Sequence, residues 1–468
     1  MKRIVGDTCR GLATAFAFAM LAYSPTIRAA EVVVVKNVAE FTAAVKTVEP
    51  GDYVTLANGE WRDAELVVSR SGTVKQPLNI RAETWGKVVL TGKSRLRIGG
   101  DFVDVAGLLW KDSAADDNVI SFRIDSKTVA HFSTVRDCAI LGDLPEAERK
   151  WVSLYGTCNA IRNCRFEGKQ SPGTLAVVWL DDEPNRHSIC NNFFGSRSRL
   201  GKNGGEILRI GDSKTSLQKS QTSVHKNYFY RCDGEAEIIS NKSCGNFYVK
   251  NVFVGCSGAL TLRHGNDCEV RENDFFGDDR KGTGGVRIIG EGHRISRNLF
   301  YELTGDDVRA AVSLMNGVVD SPLNGYLQVQ KTSVYRNTFF RCRETIVVGL
   351  RDDDQQRQTL PPTDCSFSEN AVVAGKSPVF VVRTVPQSLR HEDNTYVGEK
   401  LGIDVETGWR QVAVLPKPEK SPFETLRMSE VGRELTEFVL STRPTDVGPE
   451  WFRPGDEFLP EVLKPKWP

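Results

Sequence analysis

Between residues 203 and 264 the chain carries NGGEILRIG, GEAEIISNKS and LTLRHG, which supply the side chains needed to pull a proton from a carbon beside a carboxylate. Such a proton is barely acidic. A cation held on the carboxylate would remove its repulsion and stabilise the enolate-like charge that develops, acting as a Lewis acid. Asn203, Glu235 and Glu237 are oxygen donors of the kind calcium accepts in flexible geometry. Lys242 offers an amine base, whose pKa a neighbouring guanidinium and a cation would lower towards the working range. Arg263 can stabilise charge on a leaving oxygen or relay a proton to it, the first role suiting its high pKa better. His264 can bind or shuttle a proton, while Arg209 in LRIG and Arg287 in VRIIG can clamp carboxylates. The reaction such a set would perform is β-elimination on a uronate: the C5 proton leaves and the bond from C4 to the glycosidic oxygen breaks.

Taken one by one these signals are weak. Paired glutamates on a strand are usually a solvated face, a lone Lys or Arg is usually a surface charge, and the alternative for Arg209 and Arg287 is a structural salt bridge. Asp181, Asp182, Asp306 and Asp307 are loop acids that a glycosidase could use as a carboxylate pair, with no other feature in support. The positions gain weight only if an architecture brings them together.

A short pattern supplies one. IRNCRF, ICNNFF, VHKNYF, VKNVF, VRENDFF, ISRNLF and VYRNTFF each place an asparagine ahead of an aromatic, at 163, 191, 227, 251, 273, 298 and 337. Most neighbours are 22 to 28 residues apart, and the longer gaps 191–227 and 298–337 predict inserted loops. A repeat of this length marks a solenoid. Its apolar pieces (EIIS, LTLRH, VRIIG, IVVGL) are short strands bounded by Gly, Asn and Asp. Three such strands per coil, stacked parallel about 4.8 Å apart, make an all-β parallel β-helix, with the asparagines at a bend and Phe and Leu inside. In that frame Glu235 and Glu237, two apart in EAEII, share a face. Asn203 joins them from the preceding coil, and Lys242, beyond a bend in SNKS, meets Arg263 one coil later.

The open ends of a solenoid need caps. The spacing predicts a capping helix over 37–48, with Asn37 as N-cap and Val38, Phe41, Val45 and Val48 on one face. The repeat fades after Tyr396. Residues 410–468, rich in Pro and charge, form a C-terminal wrapping tail with a helical stretch near Glu430 to Leu440. The β-helix catalytic domain spans 30–409.

Residues 1–29 have a basic start and an apolar run from Leu12 to Tyr23, and small residues stand at their end and just beyond it, Ala29 and Ala30. This is a signal-peptide pattern, too short to span a bilayer, and it predicts a periplasmic or secreted protein with no membrane span in its mature form. From 61 basic and 60 acidic side chains, loss of residues 1 to 30 removes four cations and one anion, leaving a net charge of about −2. No nucleic-acid partner is expected from that balance, so an anionic substrate must be met by a local cleft. Cys138, Cys164 and Cys190 are 26 apart, and Cys232, Cys244, Cys256 and Cys268 are 12 apart. These intervals suit buried positions repeated along coils, where a thiol packs as a small hydrophobe, although export permits disulfides.

Together with GDYVTLANGEW and SGTVKQPLNIRA near the start, these segments resemble polysaccharide lyase family six, the group containing alginate lyases and the dermatan-cleaving chondroitinase B. The resemblance runs to VYRNTFFRC and implies a right-handed parallel β-helix. It also implies Lys242 as base, Arg263 as its acid partner, and Asn203, Glu235 and Glu237 as Ca2+ ligands. GEAEIIS, LTLRHG and GGVRIIG look more like the alginate lyases, and Arg287 matches an arginine of theirs. Alginate is therefore the expected substrate. The alternatives are a lyase for dermatan sulfate or another uronate polymer, and a non-catalytic carbohydrate-binding β-helix.

Overall fold

The computed structural model describes residues 28–351, 357–413 and 440–464, with the backbone of Arg427–Met428 and Leu435–Glu437. The chain divides into residues 1–30 and 31–468; the signal segment expected over 1–29 lies almost wholly outside the described residues. No described helix is long and apolar enough to cross a membrane.

Residues 31–411 wind as a parallel β-helix. Three stacks of 14, 12 and 14 parallel strands run its length, and each coil visits them in turn. One coil, for example, contributes Ser223–His225 to the first sheet, Tyr228–Tyr230 to the third and Glu237–Lys242 to the second. The twelve-stranded second sheet is called here the site sheet. Its inward row Leu208, Ile239, Leu260, Val286, Val312 and Ile346 is in register across six coils and is wholly buried. Alternation along each strand then sends the intervening residues outward.

Two ladders lock the coils. The rings of Phe166, Phe194, Phe229, Phe253, Phe275, Phe300 and Phe339 stack with centroids 4.6–5.4 Å apart. At the bend between the first and third sheets, Asn192, Asn227, Asn251, Asn273, Asn298, Asn337 and Asn370 each donate from Nδ2 to the Oδ1 of the next asparagine at 2.9–3.1 Å, the last acceptor being Asn394. The ladder thus begins at Asn192 and not at Asn163 or Asn191. Those two sit one residue earlier, at φ 52° and 55°. Cys164 fills the ladder position and its N–H donates to Asn192 Oδ1 at 2.9 Å.

The capping helix is Val38–Thr47, with Asn37 Oδ1 accepting from the Glu40 N–H at 2.9 Å and Phe41, Val45 and Val48 buried. All ten cysteines of the described residues are free thiols; Cys158 and Cys190 are partly exposed and the other eight are buried. At the C-terminus Leu435–Glu437 is a short strand antiparallel to Arg427–Met428, where a helix was expected. Residues 440–464 lie along the third sheet. Leu440 and Val447 are buried with Tyr228, Val252 and Phe276, and Phe458 packs on Phe193 and Tyr230. Hydrogen bonds fasten this segment to several coils: Trp451 Nε1 to Asp137 O (2.8 Å), Gly448 N to Asn191 O (2.9 Å), Thr442 Oγ1 to Lys250 O (2.7 Å) and Ser441 N to Asp274 Oδ2 (2.7 Å).

Candidate active site

The strand Glu237–Lys242 is paired on one side with Leu208–Gly211 and on the other with Ala259–His264, the next strand being Val286–Ile288. Arg209, Ser240, Thr261 and Arg287 form one outward row across these four coils. Register shifts between Glu237 and Ile239, and again between Asn241 and Lys242, break the strict alternation at both ends of the central strand. Such bulges re-aim side chains.

They do so here. Glu237 begins the strand, and its Oε1 lies 3.9 Å from both Arg263 Nε and Arg287 Nη1. Glu235 is not on the strand, as EAEII had suggested. It sits in the preceding turn, and its Oε2 accepts from the Gly205 N–H of the previous coil at 2.9 Å. The approach needs glycine on both sides: a Cβ on Gly205 would stand 2.4 Å from Gly234 O, and one on Gly234 2.1 Å from Gly205 O. Burial, then the charges of Glu206 and Glu237, push the Glu235 carboxyl up to about 7. Asn203 is exposed on the loop that carries Gly205.

Lys242 ends the strand, ahead of the bend instead of beyond it, because Ser243–Gly245 make the turn. Its ladder partner is His264, so Arg263 lies on the adjoining strand as the coil spacing required. Lys242 is partly exposed and has no hydrogen bond or ion pair among the described residues. That leaves its amine uncommitted. His264 is 2% exposed, its Nδ1 has no hydrogen-bond partner, and burial, then Arg263 and Lys242, depress its imidazole to about 3. It is a neutral wall beside the amine.

The residue that sequence reading missed is Tyr326. Its ring lies 4.1 Å from the Arg263 guanidinium, and its hydroxyl accepts from Arg287 Nη2 at 2.9 Å. Arg263 Nη1 also donates to Gly325 O at 2.9 Å. Both come from the loop inserted in the long 298–337 interval. The other long interval, 191–227, supplies Ser216, whose hydroxyl donates to Leu323 O at 3.1 Å. The two insertions meet beside the site, and their lengths were the available signal. Arg209 stands apart from the Glu237 pair: its guanidinium covers Trp179 at 5.1 Å, Trp179 stacks on Tyr155 at 6.0 Å, and Arg123 covers Tyr155 at 3.8 Å. This extends a cationic, aromatic floor towards the earlier coils.

The loop acids do other work. Asp306 pairs with Arg343 at 2.8 Å and Asp307 with Arg383 at 2.9 Å, while Asp181 and Asp182 are simply exposed. No hydrolytic carboxylate pair forms from them.

Glu235, Glu237, Lys242, Arg263 and Arg287 thus belong to neighbouring strands and turns of one sheet, with Tyr326 tying the two arginines. A family model described as chondroitinase B matches residues 35–386. The chain belongs to that family.

Its members among solved structures agree in fold. The polysaccharide lyase family 6 alginate lyase AlyGC matches with a TM-score of 0.82 and 33% identity over 90% of this chain. This chain spans only 59% of AlyGC. A mannuronic acid specific family 6 lyase from human gut microbiota matches with a TM-score of 0.73 and 29% identity, over 82% of this chain and 91% of that one. A family 6 lyase from Pseudopedobacter saltans, 24% identical, shares the fold with a TM-score of 0.69 over 83% of this chain and 97% of its own. No curated protein matches the chain in sequence.

The donor chemistry of Asn203, Glu235 and Glu237 suits a hard cation. Among the described residues no three Asp, Glu, His or Cys side chains converge as a metal cluster, so two carboxylates and an amide would have to suffice. The raised Glu235 carboxyl fits that role: a bound cation would offset the neighbouring negative charges that push it up. Arg263 and Arg287 already compensate part of the charge on Glu237.

Proposed function

We propose that this protein is a secreted polysaccharide lyase that cleaves alginate by β-elimination, leaving an unsaturated uronate at the new end. The observation that carries the reading is the unpartnered Lys242 amine beside Arg263, on the same sheet as the Glu235 and Glu237 carboxylates. Lys242 would take the C5 proton, Arg263 would stabilise charge on the departing O4, and Arg287 and Arg209 would orient uronate carboxylates. Asn203, Glu235 and Glu237 would hold Ca2+, which when bound supplies Lewis-acid neutralisation of the substrate carboxylate. Alginate is favoured by the likeness to AlyGC at 33% identity. A dermatan-type polymer is the second reading, favoured by the chondroitinase B family model.

The test is to incubate purified protein with polymannuronate, polyguluronate, mixed alginate and dermatan sulfate, with and without chelator, and follow ultraviolet absorbance of the C4–C5 double bond. Signal on alginate that disappears with chelator and returns with Ca2+ supports the full reading. Signal confined to dermatan sulfate moves the substrate. No signal on any polymer overturns lyase action and leaves a binding solenoid.

A further inference from the structure

Glu235 faces two spaces. Towards Glu237 lies the candidate site already described. On its other side, at the corner where the third sheet turns into the site sheet, lies a cavity of about 520 Å³ lined by Ser198, Arg199, Asp233, Ser257, Arg280, Lys281 and Arg309 as well as Glu235. These residues come from successive coils, so the cavity runs along the solenoid axis, with coils about 4.8 Å apart.

Its charge is one-sided. Four cations face two acids, and one of those acids is already committed: Asp233 Oδ2 pairs with Arg280 Nη2, and its Oδ1 accepts from the Ser257 N–H at 2.8 Å. Glu235 is turned to the Gly205 N–H. The side chains of Arg199, Lys281 and Arg309 therefore have no carboxylate partner among the described residues. Arg309 Nε is buried without any hydrogen-bond partner, and Arg280 Nε likewise. The Arg309 side chain is not loose: it passes over Gly282 and Gly284, where added Cβ atoms would stand 3.8 Å and 3.0 Å from it. A buried guanidinium N–H left unmet is a group waiting for an acceptor.

We propose that this corner cavity is a second carboxylate-binding subsite, which takes the carboxylate of a uronate unit farther along the chain than the one held between Glu237 and Lys242. The inference rests on the uronate reading of the site and adds where the polymer continues. Cleavage by β-elimination needs one uronate at the base, and a polymer of uronates presents another carboxylate to any groove it enters. Arg309 and Arg280 are the anchors, with Arg199 and Lys281 as exposed guides that raise the local concentration of polyanion.

The experiment measures binding, not turnover. Lys242→Ala protein is titrated calorimetrically with oligouronates from dimer to hexamer, and compared with Lys242→Ala carrying Arg199→Ala and Lys281→Ala, and separately Arg309→Gln. The exposed pair cannot disturb packing, so its result stands even if Arg309→Gln misfolds. Expected is an affinity loss of about tenfold for the longer oligomers with the shortest binding oligomer unaffected. Equal loss at every length, or no loss at any, overturns the second subsite. Failure of the parent Lys242→Ala protein to bind any oligouronate overturns the uronate reading instead.

Discussion

At the asparagine bend each coil copies its neighbour, whereas along the outward row of the site sheet Arg209, Ser240, Thr261 and Arg287 follow one another without repetition. The two regions are built from the same coils. In the ladder every polar group is answered. Asn251 Oδ1 accepts from the Asn227 N–H and Nδ2, and its own Nδ2 donates to Val224 O and Asn273 Oδ1. At the candidate site Lys242 has no partner among the described residues, and His264 Nδ1 and Arg209 Nε lack one too. Repetition carries nearest-neighbour stability, and its interruption leaves polar groups unpaired that can act on something else.

Breaking the groove should change rate without changing stability. Lys242→Ala is expected to lower product formation on its polymer by about 10³-fold, with an unchanged unfolding midpoint; retained turnover would remove the base from this account. Breaking the ladders should do the reverse. Phe253→Ala, which removes a ring stacked at 4.6 Å on both sides, should lose about 4 kcal/mol, and Asn251→Ala about 3 kcal/mol. Denaturant titration reads both, and kcat of the folded fraction should stay put. Tyr326→Phe is the subtler probe, because it removes the acceptor from Arg287 but keeps the ring under Arg263. A fall of about tenfold in kcat/KM, roughly 1.4 kcal/mol, with the melting temperature unmoved would mark it as a positioning residue.

The smallest effect concerns pH. Burial depresses the imidazoles of His187 to about 3, His293 to about 4 and His264 to about 3. The unfolded chain, with histidine pKa near about 6.5, takes up these protons first. The stability they contribute is therefore whole above about pH 6.5 and is lost as pH falls towards 4. Asp274 and Glu235, raised to about 7 mainly by burial, act in the opposite sense, and the imidazoles outnumber them. Calorimetry from pH 8 to 4 should show a falling melting temperature; a rise on acidification would contradict this balance.

The solenoid was legible because its period is written in repeated residues. The capping helix was legible because Asn37 and the Phe41, Val45, Val48 face obey local rules. The ladder was misread by one residue at its start, since ICNNFF offers two adjacent asparagines and only the backbone decides which takes the left-handed turn. The site was readable as a set but not in detail. EAEII looks like a regular strand, and no alternation rule announces that a bulge and a pair of facing glycines send Glu235 back to the previous coil. Tyr326 was invisible for another reason: it reaches Arg263 through a loop some sixty residues downstream, and loop residues carry no period.

The C-terminal segment alters what kind of object the solenoid is. A stack in which each turn touches only the next can peel from either end, one turn at a time. Anchors at Asp137, Asn191, Lys250 and Asp274 are spread over six successive coils, so loosening any one of them strains the rest. The middle of the stack, where the groove lies, is thereby shielded from fraying that begins at the ends.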